Sequence, residues 1–145
     1  AYRRSALMQV GGFPTNTIMN EDTYVAGKML MSSWKLAYCA DAQVQHSHDY
    51  SFVEEFKRYF DIGVFHAQTT WLQRTFGGTS GEGLRFVTSE LRYLVKHAPW
   101  LIPSAALRTG LKWFGFKLGA FYKKMPQALR RSFSLHKTYW LRTSP

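Results

Sequence analysis

Ser51-Phe52-Val53-Glu54-Glu55-Phe56-Lys57-Arg58-Tyr59-Phe60-Asp61-Ile62-Gly63-Val64 is the stretch that decides the fold. Ser51 and Glu54 form a capping-box pattern, in which hydroxyl and carboxylate each satisfy a backbone N–H that a helix start leaves without a partner. Phe52, Phe56, Phe60, Val64, Ala67 and Trp71 then recur at near-helical spacing, so a helix with one apolar face is expected from Ser51 onward. Gly77-Gly78-Thr79-Ser80-Gly81 breaks it and is the expected flexible joint. Thr79 with Glu82 starts the next helix, with Leu84, Val87, Leu91, Leu94 and Ala98 on its inner face and Pro99 and Pro103 ending it. Ser104 is placed to cap a last long helix carrying Leu107, Leu111, Phe114, Leu118, Phe121 and Met125. Pro126 closes that stretch, and a basic, aromatic tail follows.

Upstream, the pattern changes. Val10-Gly11-Gly12-Phe13-Pro14 reads as a turn, since paired glycines supply positive φ and Pro14 fixes the exit. Glu21-Asp22 opens an apolar-periodic stretch from Tyr24 to Trp34 that reads as a short helix. Leu36-Ala37-Tyr38-Cys39 and Gln43-Val44-Gln45-His46 read as two short strands around Ala40-Asp41-Ala42. The expected fold class is therefore α+β and predominantly α-helical. Residues 1–50 form the compact end of an α/β unit, and residues 51–145 form a helical, basic region.

The chain has 145 residues, of which 46% are hydrophobic and 17% aromatic, enough to bury a core and to exclude wholesale disorder. Cys39, the only cysteine, excludes an internal disulfide and a multi-cysteine zinc site. No run of about 18 uncharged apolar residues is present, so no bilayer-spanning helix is expected. The start, Ala1-Tyr2-Arg3-Arg4, has neither an initiator Met nor a signal-peptide core and reads like the middle of a longer protein.

Charge is distributed unevenly. Nineteen Lys and Arg against nine Asp and Glu give a net charge of +10. Residues 1–95 hold nine of those bases and all nine acids; residues 96–145 hold the other ten bases and no acid. Such asymmetry points the second region toward an anionic partner, namely phosphate, lipid headgroups or nucleic acid, unless it is an ordinary solvated face. Trp113, Phe114, Phe116, Phe121 and Tyr122 interleave with Lys112, Lys117, Lys123 and Lys124, which suits a helix lying on an anionic membrane or packing into a helical core. A non-enzymatic basic helical module binding nucleic acid is the alternative from another class. No helix-turn-helix spacing, zinc finger or RNP-like motif supports it, so nucleic acid is not the expected partner.

Three groups of residues could carry chemistry. Glu21-Asp22 sits at a helix start behind a glycine turn; carboxylates there meet the helix dipole favourably, and a carboxylate near a sugar hydroxyl can equally act as general base. His46-Ser47-His48 follows an expected strand, where residues i and i+2 point the same way; the two imidazoles fit a metal ligand pair or a satisfied polar pair. Arg58, next to Lys57, suits bidentate phosphate contact or a pairing with Glu54 or Asp61 at helical spacing. Phosphate-loop, dinucleotide-binding and serine-hydrolase motifs are missing.

Taken in order, Tyr2-Arg3-Arg4-Ser5-Ala6-Leu7, Gly11-Gly12-Phe13, Glu21-Asp22, Ala42-Gln43-Val44-Gln45-His46-Ser47-His48 and Phe56-Lys57-Arg58-Tyr59-Phe60-Asp61-Ile62-Gly63 carry a resemblance over residues 1–66. The series resembles the second half of bacterial family 2 glycosyltransferases of the GT-A fold, in particular rhamnosyltransferase-like members that build surface polysaccharides. The resemblance implies an inverting transfer from a nucleoside-diphosphate sugar, with dTDP-rhamnose as donor, to a glycan or lipid-linked acceptor. It implies Asp22 as the base, with Glu21 orienting the acceptor. His46, with His48 second, would complete a Mg2+ or Mn2+ site, and Gly11, Gly12 and Phe13 would shape the sugar and acceptor pocket. Arg58 and Tyr59 would stand near the diphosphate. Asp22 would then face a concavity across from the imidazole at 46. A cytoplasmic enzyme, peripheral on the inner face of the cell membrane, is implied. The family's nucleotide-binding half with its Asp-x-Asp has no counterpart here, so residues 1–145 alone are expected to be inactive.

Overall fold

A computed structural model describes residues 1–45, 49–78 and 80–142, without the side chains of Ser80 and Glu82. The chain divides into two compact units, Ala1–Asp49 and Tyr50–Pro145.

In the first unit, α1 (Arg4–Gln9) runs into the glycine turn and α2 spans Glu21–Met31. Gly11 and Gly12 have φ of 89° and 75°, and the Gly12 N–H bonds back to the Leu7 carbonyl at 2.9 Å, so the turn ends α1 as its sequence predicts. α2 starts at the acidic pair as expected: Asn20 takes a left-handed conformation and Glu21 and Asp22 fall in the first helical turn. It ends earlier than expected. Ser33 turns left-handed at φ 64°, and the Trp34 N–H closes on the Met29 carbonyl at 2.9 Å. That closure folds Trp34 onto a small core of Ala6, Val25 and Met29 with Leu7 and Val10.

Neither expected strand forms among the described residues. Leu36–Cys39 and 43–45 are irregular, joined by a turn in which Ala42 N–H meets the Cys39 carbonyl at 3.3 Å. A strand exists only within a ladder, and no described segment pairs with these residues, so their alternating side chains bring no backbone partner. The fold is predominantly helical, as expected, but the described residues carry no β component.

The second unit contains α3 (Phe52–Gln68), α4 (Thr70–Phe76), α5 (Ser80–His97), α6 (Ile102–Ala120), α7 (Gln127–Phe133) and α8 (Tyr139–Arg142), with short 3₁₀ turns at Pro99–Leu101 and Tyr122–Lys124. The capping box at the start of α3 is complete. Ser51 N–H donates to Glu54 Oε2 at 2.9 Å and the Glu54 N–H donates to Ser51 Oγ at 3.3 Å, an arrangement worth about 1 kcal/mol. The helix expected to run on to Trp71 breaks at Thr69, whose hydroxyl donates to the Phe65 carbonyl at 2.7 Å in competition with the helical N–H pattern. Pro99 opens a 3₁₀ turn. Pro103 does not end a helix: it lies in the first turn of α6, where no N–H is required, so Ser104 is helical and not the cap.

α3 and α6 form the core pair, and their contact differs from the expected apolar stripe. Leu107, Phe114 and Phe121 are exposed, while Gly115 and Gly119 are buried. A Cβ at Gly115 would lie 3.2 Å from the Phe60 nitrogen, and one at Gly63 would lie 3.0 Å from Gly119 Cα. Three glycines therefore let two backbones touch directly. Phe60, Val64 and Phe65 are fully buried on α3. A repeat of small residues four apart, Gly115-x-x-x-Gly119, was visible in the sequence; large apolar residues drew the expected face elsewhere.

Candidate active site

Glu21 and Asp22 occupy the first turn of α2, both exposed. Asp22 Oδ1 accepts from the Thr23 N–H at 2.7 Å and from the Thr23 hydroxyl at 3.4 Å, which fixes the carboxylate over the helix start. In the same unit two rings, Tyr2 and Phe13, pack edge to face with centroids 5.4 Å apart. Burial, then the negative charges of Asp22 and Glu21, push the Tyr2 phenol above its ordinary value, so ring and carboxylates share one electrostatic neighbourhood. Of the sequence-predicted set, Glu21 and Asp22 act electrostatically on Tyr2, and Phe13 packs against the Tyr2 ring. Gly11 and Gly12 form the turn leading to Phe13, and space around both is open. Tyr2 was legible only as part of the Tyr-Arg-Arg string; its role depends on α1 and α2 lying side by side.

A broad open concavity of about 760 Å³ lies in the same unit, lined by Tyr2, Arg3, Met29, Trp34, Lys35 and Leu36 among others. Tyr2 links it to the acidic pair, but neither Glu21 nor Asp22 lines it, contrary to the expected cleft facing Asp22. Its aromatic wall is braced: Trp34 Nε1 donates to Gln9 Oε1 at 3.0 Å, and the Arg3 guanidinium lies 5.7 Å from the Trp34 ring centre. His46 and His48 lie outside the described residues. Among the described residues no three His, Cys, Asp or Glu side chains group as a metal site requires.

Arg58 and Tyr59 belong to the second unit. Arg58 donates to the Tyr50 hydroxyl at 2.9 Å and lies 5.3 Å from that ring's centre, so the expected pairing with Glu54 or Asp61 is not made. Glu54 is committed to its cap and Asp61 points into the core. Along the same side, Glu55 holds Arg108 at 3.0 Å and Lys112 at 3.5 Å, and Lys112 stands 5.8 Å from the Tyr59 ring. Glu55 thus neutralises part of the charge of Arg108 and Lys112, while Arg58 is held by Tyr50 alone among the described residues.

Asp61 was not singled out from its sequence position. Its side chain is fully buried, and Oδ2 accepts from the Leu135 N–H at 2.9 Å. Burial pushes the carboxyl up, against the Ser134 hydroxyl, the Leu135 and His136 N–H groups and the His136 charge, which pull it down. It anchors Ser134-Leu135-His136, between α7 and α8, onto α3. A single acid between Phe60 and Ile62 was the available signal.

No family model matches the chain, and no solved structure matches it. Among curated proteins, the O-antigen chain rhamnosyltransferase RfbN of Salmonella typhimurium is 52% identical over 140 residues, 97% of this chain and 45% of that protein. The O-antigen chain rhamnosyltransferase WbaN of Salmonella anatum is 51% identical over 140 residues, 97% of this chain and 44% of that protein. The chain therefore spans under half the length of these relatives.

Proposed function

We propose that this chain is part of an inverting glycosyltransferase that moves rhamnose from dTDP-rhamnose to a glycan or lipid-linked acceptor in surface-polysaccharide synthesis. Residues 1–50 would close the acceptor side of a GT-A domain of family 2. The likeness over 140 residues to two O-antigen chain rhamnosyltransferases supports this. One structural observation supports it: an exposed carboxylate pair in the first turn of α2, open to an incoming sugar hydroxyl, with the Tyr2–Phe13 ring pair in the same unit.

In the proposed step the acceptor hydroxyl gives its proton to Asp22 while its oxygen bonds to the anomeric carbon. The bond from that carbon to the diphosphate breaks on the opposite face, so configuration inverts and the electron pair leaves with the nucleoside diphosphate. Thr23 occupies Asp22 Oδ1, leaving Oδ2 to take the proton. Glu21 orients the acceptor, and Gly11-Gly12 sets the position of Phe13 against it. Arg58 and Tyr59 offer contacts for phosphate oxygens. A divalent cation, Mg2+ or Mn2+, would stabilise charge on the departing diphosphate, with His46 first and His48 second as ligands from this chain. The reaction would take place at the cytoplasmic face of the cell membrane, where a lipid-linked acceptor is presented.

Replacing Asp22 by Asn in the full-length enzyme tests this. Loss of a general base should lower kcat by about 10²–10⁴ with little change in KM. Unchanged turnover rejects Asp22 as the base.

A further inference from the structure

No described side chain of α5 is fully buried, and Phe86 and Tyr93 are exposed on the side away from Leu84. Leu84, Leu91 and Val95 are seven and four residues apart, which puts them on a single side of the helix, and all three are exposed. At the tip of the following turn Trp100 is 73% exposed and Leu101 48%. The row borders the face turned to α6: Leu91, with Val87 and Leu94, also lines an apolar gap of about 280 Å³ toward Ile102, Ala105 and Ala106.

Charge runs beside the exposed row. Arg92 follows Leu91 and Lys96 follows Val95, each about 100° further round the cylinder. Glu90 lies on the opposite flank, lining the gap to α6. Beyond residue 95 the chain carries ten bases and no acid. Long cationic stems can lie along an apolar surface while their heads reach anionic groups, and tryptophan settles at the boundary between apolar and wet regions.

We infer that α5 and the Pro99–Leu101 turn form a peripheral docking surface for a lipid bilayer bearing anionic headgroups. Trp100 and Leu101 enter the boundary between headgroups and acyl chains, and Arg92 and Lys96 meet the lipid phosphates. Among the described residues no helix is long and apolar enough to cross the bilayer, so attachment through this surface is interfacial. A second copy of the chain is a poor occupant, since it would bring the same excess of positive charge to the same face. In the 112–124 stretch expected from the sequence to face a membrane, Lys112 is engaged by Glu55 and the glycines lie against α3, while Trp113 and Phe121 stay exposed.

Docking of this kind rests on the membrane location in the function proposed above, but its test uses no sugar substrate, so failure of one leaves the other standing. Full-length protein is co-sedimented with vesicles of phosphatidylcholine alone and of phosphatidylcholine with phosphatidylglycerol. Partitioning should favour the anionic vesicles and weaken with added salt. Arg92→Ala with Lys96→Ala should lower it about 30-fold, and Trp100→Ala about tenfold. Both changes are at exposed positions, and circular dichroism confirms that the fold is retained. Equal binding to both vesicle types, no binding to either, or variants that bind like the parent would overturn the inference. So would a lipid-free dimer that Trp100→Ala dissolves.

Discussion

Replacing Gly119 by Ala places a methyl group on the backbone of the facing helix. That carbon would sit against the Phe60 carbonyl oxygen, 2.9 Å from the Phe60 carbonyl carbon and 3.0 Å from Gly63 Cα. Backbone atoms cannot swing aside as a side-chain end can, so α3 and α6 must separate, loosening Phe60 and Val64. Overpacking of this kind costs about 1–3 kcal/mol, and a clash with backbone belongs at the upper end, about 3 kcal/mol. The better helix propensity of Ala offsets about 1 kcal/mol of that. A net loss of about 2 kcal/mol remains, which for a unit of this size lowers Tm by about 8–16 °C. Gly110 in the same helix is the control, since nothing lies within 4 Å of the position its Cβ would take. Gly110→Ala should raise Tm by up to about 8 °C, because only the propensity acts. Thermal melts of both variants by far-ultraviolet circular dichroism decide the matter. If Gly119→Ala melts at or above the parent, close contact of the two backbones is not what holds the unit together.

Two further outcomes follow from the titrating groups. Asp61 holds its proton more tightly folded than unfolded, because burial raises its carboxyl above the ordinary 3.8; stability should therefore fall as pH rises from that value through the raised one. Asp61→Asn keeps an acceptor for the Leu135 N–H and removes the titration, so Tm should flatten over that window, and an unaltered slope refutes the assignment. Asp22→Asn should lower the Tyr2 phenol part of the way toward its ordinary value, since one of the two negative charges acting on it disappears. Tyrosine carbon NMR titration reads this directly, and an unmoved Tyr2 would separate the ring from the acidic pair.

Local signals are what the sequence rendered faithfully. The capping box of α3, the glycine turn after α1, the acidic pair at a helix start and the basic second half all follow from residues close together in the chain. Capping and turn chemistry act over three or four residues, so these features need no distant partner. The aromatic pair of the first unit was half legible: Phe13 stood out beside its glycines, while Tyr2 joins it only across the α1–α2 packing. The two expected strands failed for the converse reason. Alternation in Leu36–Cys39 marks side chains suited to a sheet, yet a ladder is a relation between segments, and the described residues supply none.

Tertiary structure alone decided which face of each helix is inside. Periodicity located an apolar stripe on α6, but the buried line runs through Gly115 and Gly119, because direct contact of two backbones outweighs the burial of larger side chains that find no partner. It also placed Asp61 in the core under the Ser134 segment, and it turned Leu84, Leu91 and Trp100 outward. The sequence by itself determined where α2 and α3 begin, the capping of α3 and where positive charge accumulates. Only packing determined what those helices cover, since burial is set by the neighbour a surface meets and not by its own composition.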